Sequence, residues 1–169
     1  MSPVRKIFAE SFHDASVYSP GRCAENVARL LHRMKDSGFD LANCHVVLLR
    51  GPAGVAGRQQ RCPFAEWGTH AFVVYDGMAL DLDFKDNPLV LPIADYLKEQ
   101  FMPVDRSKRG RILECWAARV VPAAVYEMEF GNEGGDGQTH DFHYFGGPVA
   151  AQRFRTVRMS ELLSELLLL

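Results

Sequence analysis

Residues 70–75 (His-Ala-Phe-Val-Val-Tyr) and 78–84 (Met-Ala-Leu-Asp-Leu-Asp-Phe) are two strand-like runs separated by the dipeptide Asp76-Gly77. Asp-Gly in that setting is the strongest short-range signal for a β-hairpin, since the favoured two-residue turn needs positive φ at both central positions. Such a turn sets Tyr75 opposite Met78 and, counting outward, Phe72 opposite Asp81 and His70 opposite Asp83. Cross-strand partners share a face of the sheet, so His70, Asp81 and Asp83 gather on one side. A turn longer by one residue would send both aspartates to the other side. The hairpin therefore decides which polar groups can meet.

Around it the chain reads as one α+β domain covering residues 1–169. That length suffices to bury a real core without division. Residues 1–20 mix apolar and turn-forming types and end in the stop signal Ser19-Pro20-Gly21. From Cys23 a helix is predicted, because Val27, Leu30, Leu31 and Met34 recur at three- and four-residue steps, and Ser37-Gly38 closes it. Residues 45–50 (His-Val-Val-Leu-Leu-Arg) form a short apolar run, expected as a buried strand. Residues 51–69, rich in Gly, Gln, Arg and Pro, read as a long loop. A short helix over 93–101, a charged turn over 103–110, a strand over 111–121, a Gly-rich loop over 131–147 and a leucine-spaced helix over 159–169 complete the reading. One helix followed by mainly antiparallel strands is the expected order.

Composition excludes several classes. Basic and acidic residues number 19 and 21, a formal net charge of -2, without the basic excess of a nucleic-acid or acidic-membrane binder. No secretory signal opens the chain, and no run approaches the roughly 18 apolar residues of a membrane span. The four cysteines, Cys23, Cys44, Cys62 and Cys115, form no Cys-x-x-Cys pair. They read as thiols in a reducing, cytoplasmic compartment, mostly buried as small hydrophobes. His140 and His143 with Cys62 or Asp136 would make a metal set, but no second ligand pair has zinc spacing, so a polar loop is the better reading and no metal is expected.

Cys23 is the chemically distinctive thiol. It falls in the first turn of its helix, where unpaired N–H groups and the helix dipole favour an anion, and the thiolate is the reactive form of cysteine. For a lone cysteine, simple burial at the start of the apolar stripe is the more economical account. A histidine with a carboxylate beside it changes the balance, because the acid fixes the ring's tautomer and the ring activates a nucleophile. Trp67, near His70, reads equally as pocket wall or core, and Glu25 and Asn26 as exposed or capping residues, with lining of the site as the alternative.

Val17-Tyr18-Ser19 followed by Cys23-Ala24-Glu25-Asn26-Val27, then Trp67-Gly68-Thr69-His70, then Leu80-Asp81-Leu82-Asp83 resemble, in order and spacing, three motifs of the protein N-terminal glutamine amidohydrolases. The resemblance spans about residues 17–84. It implies Cys23 as nucleophile, His70 as base and Asp81 as orienting carboxylate, with Tyr18, Trp67 and Asp83 at the substrate. It also implies a papain- or transglutaminase-like fold, a nucleophile helix packed on the sheet, no cofactor, and release of ammonia from glutamine of a protein or peptide by a monomeric enzyme. Strict hairpin register instead sets Asp83 opposite His70, so both aspartates stay open as the orienting residue. Where the family has an acidic residue after the tryptophan, this chain has Gly68; Gly21 replaces a cysteine ahead of the nucleophile; and the family's C-terminal Asp-Arg-Ser-His stretch has no clear counterpart. These departures touch the substrate more than the mechanism. A deamidase of an internal glutamine or asparagine in a target protein, a cysteine protease or transglutaminase-like enzyme, and a non-catalytic interaction domain are the alternatives.

Overall fold

Alternation along the strands explains the layering. In β1 (Cys44–Arg50) Val46 and Leu48 point into one hydrophobic core while Val47 and Leu49 point into a second. In β2 (Thr69–Tyr75) Ala71 and Val73 join the first core, Phe72 and Val74 the second. Successive side chains of a strand take opposite faces, so a strand apolar at every step must be covered on both sides. It is: helices lie against each face. The computed structural model describes residues 2–51, 69–101, 117–131 and 154–167.

The first core is covered by α1 (Pro3–His13), α2 (Cys23–Asp36) and α4 (Ala123–Gly131). The α2 stripe is the one expected, with Val27, Leu30, Leu31 and Met34 all buried, each worth about 1.5–3 kcal/mol of burial. Ser37 caps the helix and Gly38 takes φ 81°, a left-handed step that suits glycine. The second core is covered by α3 (Ile93–Phe101) and α5 (Met159–Leu166).

Six strands make one antiparallel sheet in the order β4-β3-β2-β1-β5-β6, the others being β3 (Met78–Leu80), β4 (Leu91–Pro92), β5 (Ala117–Pro122) and β6 (Thr156–Arg158). The chain is therefore α+β. The hairpin turn has the geometry that Asp-Gly requires, with φ 47° at Asp76 and 71° at Gly77. Register follows as expected for three pairs, Tyr75 with Met78, Val74 with Ala79 and Val73 with Leu80.

There the expectation fails. β3 ends at Leu80 rather than running to Phe84, and residues 81–84 fold into a turn in which the Phe84 N–H donates to the Asp81 carbonyl at 3.4 Å. Asp83 never pairs with His70. The expected order of one helix and then strands is also corrected: α1 precedes α2 and α4 follows β5. The strand expected over 111–121 is seen from Ala117, and its first part lies outside the described residues, as do the turn expected over 103–110 and nearly all of the loops expected over 51–69 and 131–147, whose described edges differ, Thr69 opening β2 and Gly131 closing α4. Among the described residues no helix is long and apolar enough to cross a membrane.

Candidate active site

A tight turn aims the thiol. Arg22 N–H donates to the Ser19 carbonyl at 3.3 Å, and Gly21 between them has φ 74°, so Pro20-Gly21 occupies the central positions of a turn that needs proline first and glycine second. Cys23 is the first residue of α2, partly buried. Among the described residues no side chain caps this helix start, and the first N–H groups of a helix favour an anion.

Asn26, one turn into α2, fastens the incoming segment. Its side chain accepts from the Ser19 N–H and donates to the Ser19 carbonyl, both at 2.8 Å. Asn26 is almost fully buried and Glu25 is buried too, paired with Arg22 at 3.3 Å. Neither is the exposed or capping residue that the sequence suggested. Asn26 is buried against Ser19 and Glu25 beneath its pair with Arg22. Tyr18, on that segment, is half-buried and packs against the first core.

His70 is the second residue of β2, and its ring lies over Phe72 with centroids 6.3 Å apart. Its Nε2 meets Asp81 Oδ2 at 2.8 Å, and both side chains are about 2% exposed. The Cys23 side chain is the ring's other hydrogen-bonding neighbour. Burial alone would push the imidazolium down. The Asp81 carboxylate and the hydrogen bonds to Asp81 and Cys23 overcome it and hold the His70 pKa well above the ordinary histidine value.

Asp81 owes its reach to the early end of β3. Freed from the ladder, its carboxylate turns toward His70, while its Oδ1 accepts the backbone N–H of Asp83 at 2.9 Å. Asp81, not Asp83, therefore contacts the base. Asp83 is itself buried and lines, with Cys23, Asn26, Ala71, Leu80 and Asp81, a cavity of about 10 Å³, room for about one water.

One member of the cluster escaped sequence reasoning. The Tyr96 hydroxyl on α3 donates to Asp81 Oδ2 at 2.7 Å. No motif marks it, although a tyrosine on the buried stripe of a short helix must find a partner for its hydroxyl. Burial first, then the neighbouring Asp81, raises its pKa well above the ordinary tyrosine value, so it stays a donor.

Cys23, His70 and Asp81 thus come together as expected. Trp67, Cys62, Asp136, His140 and His143 lie outside the described residues. Among the described residues no group of three His, Cys, Asp or Glu side chains could hold a metal ion. A thiol, an imidazole and a carboxylate in series form a nucleophile, its base and the group that orients the base, an arrangement able to carry out acyl transfer. The chain matches no protein-family model and no curated protein.

Proposed function

We propose that the chain is a papain-like thiol amidohydrolase that deamidates glutamine, with the N-terminal glutamine of a protein or peptide as its substrate. The observation that carries the reading is the continuous series from the Cys23 side chain through the His70 ring to the Asp81 carboxylate. Those three residues are the ones that the likeness to N-terminal glutamine amidohydrolases singles out.

In this reading His70 Nδ1 takes the Cys23 thiol proton and the thiolate attacks the side-chain amide carbon. The Cys23 N–H, at an uncapped helix start, meets the charge that develops on the amide oxygen. The imidazolium returns its proton to the departing nitrogen, ammonia leaves, and a glutamyl thioester remains. Water then loses a proton to His70, attacks the thioester, and the thiolate departs as glutamate is released. Asp81 holds the ring in one tautomer and stabilises its cationic form throughout. A substrate's cationic α-amino group needs an acceptor, and Asp83 and Glu25 offer carboxylates near the nucleophile. The enzyme acts as a cytoplasmic monomer.

Peptides beginning with glutamine, beginning with acetylated glutamine, and carrying glutamine internally separate the alternatives, with ammonia as the readout. We expect turnover of the first alone, lost in Cys23→Ala. Turnover of the acetylated peptide would transfer the proposal to an internal-glutamine deamidase, and ammonia release that survives Cys23→Ala would end it.

A further inference from the structure

We infer that Tyr96 is a positioning residue, fixing the Asp81 carboxylate and setting how strongly it holds the proton on His70; the inference rests on the triad proposed above. The two donors share one oxygen. Asp81 Oδ2 receives His70 at 2.8 Å and the Tyr96 hydroxyl at 2.7 Å, while Oδ1 takes the Asp83 N–H at 2.9 Å. Three donors fix the plane and the rotamer of the carboxylate. A neutral donor on the shared oxygen also draws off charge that would otherwise bind the imidazolium proton.

The tyrosine is itself held firmly. Its ring lies against Phe72 at 4.7 Å and Phe84 at 5.1 Å between centroids, and Phe72 also stacks on His70. One aromatic row thus supports both the base and the hydroxyl that competes with it. The Ile93 N–H donates to the Gly77 carbonyl at 2.9 Å, tying the start of α3 to the hairpin turn. The helix that carries Tyr96 is therefore in register with the strand that carries His70. A tyrosine that only filled the core could satisfy its hydroxyl anywhere, whereas this one selects the oxygen that the base uses.

Among the described residues the titratable groups around the pair are Cys23 from α2, Asp81 and Asp83 from the 81–84 turn, and Tyr96 from α3. Tyr96→Phe keeps the ring and removes one donor. The His70 pKa, followed by NMR of 15N-histidine-labelled protein without substrate and assigned against His70→Gln, should rise by about half to one unit. Fluorination of Tyr96 at the 3-position makes a stronger donor of the same shape and should move the value the other way. In parallel, kcat for a glutamine peptide should fall roughly tenfold in Tyr96→Phe while KM stays within about twofold. A folded Tyr96→Phe with an unmoved His70 titration would reduce Tyr96 to packing and overturn the inference, whatever the turnover. A moved titration in a protein without Cys23-dependent ammonia release would instead remove the proposed function and leave the tyrosine's hold on the pair intact.

Discussion

Cys23 and Cys44 show how position divides two side chains of the same type. Cys44 begins β1, is completely buried, and burial followed by the nearby Asp76 pushes its thiol up to about 12. Cys23 begins a helix, is partly exposed and touches an imidazole. Iodoacetamide near neutral pH should therefore alkylate Cys23 while Cys44 remains unmodified until the protein unfolds, as mass spectrometry of partly labelled protein will show. Labelling of Cys44 first would contradict the assignment. The two aspartates divide in the same way. Asp81→Asn removes a carboxylate that receives three donors and should lower kcat/KM about a hundredfold or more. Asp83 supports Asp81 through its backbone N–H, which Asp83→Asn retains, so that variant should lose tenfold at most. Equal losses, measured with a glutamine peptide, would show that the Asp83 side chain carries more than its backbone does.

Elements were legible in the sequence where burial is one-sided or the turn chemistry is strict. The α2 stripe and the Asp76-Gly77 hairpin were read from spacing alone and put Cys23 at a helix start and His70 on a strand, while the likeness to the amidohydrolase motifs singled these two out as nucleophile and base. The motif likeness picked Asp81, the residue that meets the base; from register the choice was not legible, because strand pairing was carried past Leu80, where the chain turns away from the sheet. Nor was α1. Ser11 interrupts its apolar pattern, yet Ser11 is completely buried and its hydroxyl donates to the Ile7 carbonyl at 2.7 Å. A polar residue satisfied by its own helix reads as a surface residue in the sequence. In α4 the apolar residues of Ala-Ala-Val-Tyr-Glu-Met-Glu-Phe are spread around the helix and broken by Glu127 and Glu129, so no single apolar face stands out to be detected. Asn26 shows what such hidden polar residues hold together. Asn26→Ala leaves the N–H and carbonyl of Ser19 without their side-chain partner and should cost about 1–3 kcal/mol in urea denaturation. It should also lower activity, since the loosened segment leads directly to Cys23. A variant with wild-type stability and activity would show that the clamp is dispensable.

For the whole molecule, three groups dictate how stability follows pH: buried His70 and Cys44, and Asp14 at the surface. His70 has a folded pKa raised above its unfolded value of 6.5, so its contribution is complete below that value and is lost as pH rises through the folded one. Cys44 adds a second stage: the unfolded thiol ionises near 9.0 and the folded one near 12, so unfolding gains in that window by up to about 1.4 kcal/mol per pH unit. On the acid side, Asp14 is lowered to about 2 by the Ser16 hydroxyl and N–H and then by Arg33, so its support is present above 3.8 and disappears as pH falls toward 2. The urea midpoint should therefore fall from pH 6 to pH 10, more steeply above 9, and Cys44→Ala, although less stable throughout, should flatten the portion above 9. A midpoint constant from pH 6 to pH 10 would show that neither group is linked to folding.

The order of the sheet has a consequence for timing. Cys23, His70, Asp81 and Tyr96 all lie within the first hundred residues, yet β1 is flanked by β5, and the core beneath His70's strand is completed by Val157, Met159 and Leu162. A chain emerging from the ribosome thus carries every reactive group long before it carries the scaffold that aligns them. Until then the thiol lacks the aligned imidazole and carboxylate that stand beside it in the folded chain. Alignment of Cys23, His70 and Asp81 therefore waits for residues as late as Leu162, which complete the core beneath the strand that carries the imidazole.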